Sequence, residues 1–209
     1  MSYASIRRDY AGQPLSETDS DPDPFVQFTR WFAQVTELER DPTAMMLATA
    51  TRDGRPSARM VLLKGVDEQG FVFFTNYRSR KGRDIGETRR ASLLFYWGSL
   101  ERQVRIDGHT DIVSEAESDA YFASRPIDSR WAAHASPQSE AVESRAWLES
   151  ALAAARHAYG DTVPRPPWWG GYRVIPDEFE FWQGREGRLH DRLRYQRTAA
   201  GWRRDRLAP

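Results

Sequence analysis

With 209 residues, of which 40% are hydrophobic and 12% aromatic, the chain can bury the core of one large domain. Thirty basic side chains cancel thirty acidic ones, so the one-signed field by which nucleic-acid and membrane-surface proteins capture partners is missing. The absence of cysteine excludes disulfides, thiolate metal sites and a cysteine nucleophile; the four histidines, His109, His134, His157 and His190, lack ligand spacing, so no metal is expected.

Residues 1–10 are polar and charged where a secretory signal needs an apolar run, and no segment approaches the ~20 apolar residues of a membrane span. A cytoplasmic protein is expected, with neither nucleic acid nor a membrane as partner. Residues 1–24 are too polar and proline-broken to fold alone, so they read as a flexible arm that orders by docking, with Arg7, Arg8 and Tyr10 as anchors. Residues 25–209 then form a single domain. From Pro24, a favourable helix start, Phe25, Phe28, Trp31, Phe32 and Val35 recur at helical spacing and predict an amphipathic helix ending near Arg40.

Strand signals follow over 45–51, 57–66 and 71–76, with turns at Asp53 and Gly54 and at 67–70. A short helix is predicted over 79–88, then strands over 91–97 and 100–113 joined by a tight turn at Gly98 and Ser99. Helices are predicted over 115–124, stopped by Pro126, and over 140–159, where an Ala-rich core favours helix. Pro164, Pro166 and Pro167 make a stiff crossing to Gly170 and Gly171, and strands close the chain over 172–175, 179–182, 192–197 and 201–207. Consecutive short strands with turn signals predict a mostly β protein with flanking helices, an antiparallel barrel or sandwich.

Two features point to chemistry. Of the thirty basic residues only Lys64 and Lys81 are lysines, and a compact ammonium is a good point charge for a phosphate. Residues 182–192 concentrate Trp182, three arginines at 185, 188 and 192, and His190. An aromatic plate, planar guanidiniums and a titratable imidazole suit a planar anionic ligand such as a flavin or a pyridine phosphate. By residue chemistry alone, a solvated turn between strands is the competing reading of 188–192, and a tryptophan in a strand, as at Trp182, is more often core than cofactor wall. Tyr121 and Arg125, four apart on a predicted helix, equally form an exposed pair. Strict strand alternation puts Arg59 and Lys64 on opposite faces, so they serve neighbouring ligands only if the strand bulges or its two faces meet different parts of an interface site.

An ordered set of short motifs runs through nearly the whole chain. It comprises Arg7 to Tyr10, Asp41 to Met45, Arg59 to Lys64, Thr75 with Asn76, Ser79 to Lys81 and Glu101 to Val104. It continues with Tyr121, Ser124 to Pro126, Asp128 with Ser129, Gln138 with Ser139, Phe181 to Gly184, Arg188 to Arg192 and Asp205 to Pro209. In this order the set resembles the pyridoxine (pyridoxamine) 5′-phosphate oxidase family. The resemblance implies an FMN-binding split β-barrel and a homodimer with FMN at the subunit interface. Carried over by position, Arg59, Arg80, Lys81 and Ser139 would meet the FMN phosphate and ribityl chain. Met60, Val61, Leu62, Phe74 and Thr75 would back the ring, with Gln103, Gln138, Trp182 and Arg192 around it. Lys64, shared between cofactor and substrate, would hold the substrate phosphate with Tyr121, Arg125 and Ser129. Arg188, Leu189 and His190 would cover the pyridine ring, Arg188 and His190 being the catalytic pair. Arg7 and Tyr10 would close over the site. Phe74 stands where some members carry tyrosine, which removes a hydroxyl and keeps the aromatic face.

The implied reaction moves a hydride from C4′ of pyridoxine 5′-phosphate or pyridoxamine 5′-phosphate to N5 of FMN, and oxygen then takes the electrons to give hydrogen peroxide. Two competing readings are another split-barrel flavin oxidoreductase, of the phenazine-pathway or deazaflavin type, and a non-catalytic flavin or pyridoxal-phosphate carrier.

Overall fold

The computed structural model describes residues 3, 5 and 9–209, so the anchors expected at Arg7 and Arg8 lie outside the described residues. Helix α1 spans Pro24–Val35; the Asp23 carboxylate accepts the Phe25 N–H at 2.8 Å and proline occupies its first turn. Its apolar stripe, Phe28, Trp31 and Val35, is buried against Phe71, Phe95, Trp97 and Phe181. The helix stops short of the expected Arg40 because the Thr36 hydroxyl takes the Phe32 carbonyl and the Leu38 and Glu39 amides both fold back onto Val35.

Strands β1 (Ala44–Ala50) and β2 (Pro56–Leu62) form a hairpin, and β3 (Gly65–Asp67) and β4 (Gly70–Asn76) form a second. The single strand expected over 57–66 is thus two. At the break the Leu63 N–H bonds to the Thr43 carbonyl while the Lys64 N–H bonds to Val72, so successive residues belong to opposite ends of the sheet. Helix α2 (Arg80–Thr88) is capped by the Ser79 hydroxyl and ends on Arg89 in the left-handed region.

Strands β5 (Arg90–Trp97), β6 (Arg102–Ile112), β7 (Trp169–Gln183), β8 (Asp191–Thr198) and β9 (Gly201–Arg206) complete a fully antiparallel sheet. Its order is β2-β1-β5-β6-β7-β4-β3, with β8 on β7 and β9 on β8. β7 is one strand where two were expected. It runs through Pro176 because Pro176 sits opposite Gly108 at a register shift, where a bulge tolerates the missing donor. Along one edge β7 pairs with β4 through its first half and with β8 through its second, so the sheet forks and curls there. Alternate residues of the strands, among them Met45, Leu47, Leu93, Phe95, Val104, Ile106, Phe179, Phe181, Leu193 and Tyr195, fill the core under α1.

Helices α3 (Glu115–Ser124), α4 (Ile127–Ala135) and α5 (Arg145–Tyr159) connect β6 to β7. α4 was not expected, because Pro126, read as a stop for α3, is also the cap residue of α4. α5 begins at Arg145 rather than 140, where the Ser144 hydroxyl accepts the Trp147 N–H. These helices enclose a smaller core of Phe122, Val163 and Trp169. Before α1, residues 9–23 run over the body: Leu15 is buried, Arg206 holds its carbonyl, and the Tyr195 hydroxyl donates to the Asp21 carbonyl at 2.7 Å. Among the described residues no helix is long and apolar enough to cross a membrane.

Candidate active site

A cleft of about 420 Å³ opens between the outer face of β2 and the helical layer. Met60, Val61, Leu62 and Lys64 line one wall; Phe74 and Thr75 of β4, Lys81 of α2, Tyr121 and Arg125 at α3, Ser129 of α4 and Gln138 line the rest. Lys64 reaches the cleft from the break that follows β2, while Arg59, within the strand, is turned to other partners. Arg59 donates to the Leu47 carbonyl at 3.0 Å, to Thr49 Oγ1 at 2.8 Å and to Ser57, and lies 3.9 Å from the buried Asp84 carboxylate.

The polar end of the cleft is built around Lys81. Its ammonium lies 2.8 Å from Gln138 Oε1 and 3.3 Å from Thr75 Oγ1. Burial, and then the neighbouring Arg59, lower its pKa from 10.5 to about 8. Arg59 itself is lowered by burial, partly offset by Asp84 and reinforced by Arg80. Arg59, Arg80 and Lys81 thus form a cluster of mutually repelling cations, an arrangement that an oxyanion relieves. Arg80 is exposed at the first turn of α2, and Ser139, exposed with a φ of 76°, follows Gln138 without lining the cleft.

At the other end Phe74 stacks on Tyr121 with ring centroids 4.0 Å apart, and the Arg125 guanidinium lies 4.6 Å from the centre of the Trp169 ring. Burial lowers the Arg125 pKa, and its Nη1 is buried with no hydrogen-bond partner in the structure. An orphaned buried donor beside a cleft wants an acceptor. Trp169 was missed in the sequence because it follows the proline crossing and resembles the end of a loop. The signal was the pair Gly170 and Gly171: a Cβ on Gly171 would come within 2.8 Å of the Phe74 ring.

The remaining expected residues gather elsewhere. Tyr96, Gln103, Trp182 and Arg192 occupy one register row across β5, β6, β7 and β8. The Trp182 ring lies 4.8 Å from His190, and Tyr10 packs edge-on to both. The turn Glu186–Arg188 carries Gly187 and Arg188 with φ of 62° each, which throws Arg188 and Leu189 into solvent. The Arg185 N–H donates to His190 Nδ1 at 3.0 Å. Arg192 donates to Glu180 at 2.7 Å, a bond that raises the Arg192 pKa above its ordinary value, and to the Ala208 carbonyl. None of Tyr10, Gln103, Trp182, Arg188, Leu189, His190 and Arg192 lines the cleft. The expected residues therefore divide between this cleft and a second group around the 182–192 hairpin.

Residues 32–159 match the family model described as pyridoxamine 5′-phosphate oxidase, and residues 169–209 match one described as pyridoxine 5′-phosphate oxidase C-terminal dimerisation region. The chain is 58% identical over 210 residues to the pyridoxine/pyridoxamine 5′-phosphate oxidase of Burkholderia multivorans, covering 99% of this chain and 98% of the relative. It is 59% identical over 208 residues to the enzyme of that name from Rubrobacter xylanophilus, covering 99% and 96%. The chain belongs to the pyridoxamine 5′-phosphate oxidase family.

A solved relative, PhzG from Burkholderia lata 383 in complex with tetrahydrophenazine-1-carboxylic acid, is 37% identical with a TM-score of 0.88, covering 95% of this chain and 100% of that one. A pyridoxamine 5′-phosphate oxidase-related, FMN-binding protein from Nostoc punctiforme, 18% identical with a TM-score of 0.72 over 89% and 97% of the two chains, shares the fold. The forked antiparallel sheet is thus the family's split barrel, this family member is an oxidoreductase, and its cofactor is FMN. The cation cluster and the apolar strand face beside it fit a phosphorylated, flat-ringed group of this kind.

Proposed function

We propose that the protein oxidises pyridoxine 5′-phosphate and pyridoxamine 5′-phosphate to pyridoxal 5′-phosphate, with oxygen as final electron acceptor and hydrogen peroxide as product. The observation that carries this reading is the adjacency of two polar groups in one cleft, each suited to an anion: Lys81 with Thr75 and Gln138 at one end, and Lys64, Tyr121, Arg125 and Ser129 at the other. Arg59, Arg80, Lys81 and Ser139 are assigned to the FMN phosphate and ribityl chain, and residues 60–62 with Phe74 and Thr75 to the ring. Bound FMN supplies the two-electron acceptor for the hydride that leaves substrate C4′.

The chain's own part is to bind, orient and hydrogen-bond. Lys64, Tyr121, Arg125 and Ser129 fix the substrate phosphate, and the orphaned Arg125 Nη1 gains its acceptor there. Arg188 covers the pyridine ring. His190 accepts at Nδ1 from a backbone N–H, so the neutral imidazole carries its proton on Nε2 and presents a donor toward the substrate's ring oxygen or 4′ group. Gln103, Trp182 and Arg192 enclose the flavin from the opposite side.

Two half-sites on one chain meet in a symmetric dimer, each cleft completed by the Trp182–His190 hairpin of the partner. Two features support this. Residues 169–209 match a dimerisation region, and Met60, Leu62 and Tyr96 are 62%, 42% and 54% exposed on the outer face. The row Met60, Met46, Leu94, Arg105, Glu180 and Arg194 crosses that face from apolar to charged.

The test is anaerobic mixing of the yellow holoenzyme with either vitamer. Bleaching of the flavin band, then recovery in air with equimolar pyridoxal 5′-phosphate and peroxide, is the expected result. A flavin that stays oxidised with both vitamers would sink the reading in favour of a carrier or of an oxidase acting on another ring system, such as the phenazine of the 37% identical relative.

A further inference from the structure

The segment before α1 meets the hairpin that carries His190 backbone to backbone. A Cβ on Gly12 would collide with the Gln183 side chain and come within 2.7 Å of the Gly184 carbonyl; one on Gly184 would meet the Tyr10 ring at 2.7 Å. With both positions bare, residues 10–12 lie flat on Gln183 and Gly184, and the Tyr10 ring lands edge-on to His190 with centroids 5.4 Å apart. Flat contact of this kind buries little apolar surface, so polar contacts must hold it. The Ala11 N–H bonds to Glu101 at 2.8 Å and the Leu15 N–H to Asp191 Oδ2 at 3.1 Å. Between them, Arg185 Nη1 donates to the Gly12 carbonyl at 2.6 Å while its Nε lies 3.5 Å from the same Asp191 oxygen. Asp191 is itself anchored, its Oδ1 accepting from Arg206 at 2.7 Å.

Arg185 thus touches three things at once. Its guanidinium holds the arm and Asp191, and its backbone N–H holds His190 Nδ1. We infer that Arg185 is a positioning residue: it clasps residues 10–15 onto the His190 hairpin, so that docking of the arm and orientation of the imidazole become one event. The inference rests on the assignment of His190 to the substrate. The clasp is a charge-assisted bond to the Gly12 carbonyl, and an arginine spans the gap with two separate nitrogens, one for each partner.

Arg185→Ala removes the clasp and keeps the backbone N–H, which separates arm docking from the bond to His190. Because the Arg185 side chain is 34% exposed, the variant is expected to fold. Two readouts are taken on the holoenzyme. Amide hydrogen exchange over residues 9–15 should quicken ~10-fold, the loss of one charge-assisted bond. KM for both phosphorylated vitamers should rise by a similar ~10-fold with kcat changed by less than about twofold and FMN retention unaltered, the pattern of lost uniform binding. Arg185→Lys, able to reach the Gly12 carbonyl, should restore part of both. Gly12→Ala, which lifts the arm by steric clash alone, should reproduce the rise in KM. Unchanged exchange in Arg185→Ala overturns the clasp; quickened exchange with an unchanged KM overturns the coupling. A wild-type enzyme inert toward both vitamers would overturn the proposed reaction instead, and the exchange data would still report on the clasp.

Discussion

The Lys81 ammonium donates to Gln138 Oε1 across 2.8 Å, which ties the first turn of α2 to the connection between α4 and α5. This contact crosses the base of the proposed flavin-phosphate site. Burial and the positive field of Arg59 hold the Lys81 pKa at about 8 against 10.5 in the unfolded chain. The unfolded state therefore binds the extra proton between these values, so the cost of the buried cation is present below pH 8 and is relieved as the pH rises to 10.5. An incoming phosphate favours the charged form and raises this pKa. FMN binding measured by calorimetry a little above pH 8 in buffers of different ionisation enthalpy should show proton uptake, and Lys81→Met should abolish it.

Lys64 is the test of the proposed substrate-phosphate end. It lines the cleft with Met60 and Leu62 and is spatially apart from the Arg59 network. Lys64→Ala should weaken binding of phosphorylated vitamers ~10- to 100-fold, the range for a hydrogen bond to a charged group, and leave a dephosphorylated vitamer nearly unaffected. Equal losses for both ligands would remove its phosphate role.

Arg188 and His190 lie on the turn that the positive φ of Gly187 and Arg188 projects outward. Arg188→Ala and His190→Ala should each lower kcat/KM ~100-fold or more while the protein keeps its yellow cofactor, since neither residue belongs to the proposed phosphate cradle. Steady-state kinetics with both vitamers, beside the visible spectrum, checks this; near wild-type turnover would take the hairpin out of the site.

Glu180 is 3% exposed and sits between two cations, with Arg192 at 2.7 Å and Arg105 at 3.1 Å. Glu180→Gln leaves both guanidiniums facing a neutral amide on the outer sheet face. The cost should be about 1–3 kcal/mol, less than for a fully buried pair because both arginines reach solvent. Chemical denaturation measures it. If this face is the subunit interface, the dimer should also dissociate at higher protein concentration than wild type.

Much of the architecture was legible in single stretches of sequence. Alternation in Met45 and Leu47, in Leu93 and Phe95, and in Phe179 and Phe181 marks strands with one buried face, and the structure buries each of these residues. Helix α3 has its expected bounds because its signals are local: the Ser114 hydroxyl caps it, and Pro126 lies just beyond its end. Where two signals overlapped on one residue, reading failed; Pro126 closes α3 and also opens α4. The cleft residues Lys64, Tyr121, Arg125 and Ser129 were named from the motif set, and the structure brings them together. Trp169 and Glu180 were not named, and Arg185 was counted in the 182–192 cluster without a role of its own, because each matters through a partner far away in the chain: Phe74, Arg105 and Gly12 respectively.

Residue type and spacing, then, determined the strands, most helices and the chemistry that the site residues can offer, since periodicity, caps and charge are properties of neighbours in the chain. Tertiary structure alone decided three further matters. It carried β7 unbroken through Pro176 by setting it opposite Gly108, it ended β2 at Leu62 so that the Leu63 and Lys64 amides pair with opposite ends of the sheet, and it divided the expected site residues between the cleft and the 182–192 hairpin. Each depends on which distant backbone fills a given hydrogen-bond position, and that is set only when the sheet closes.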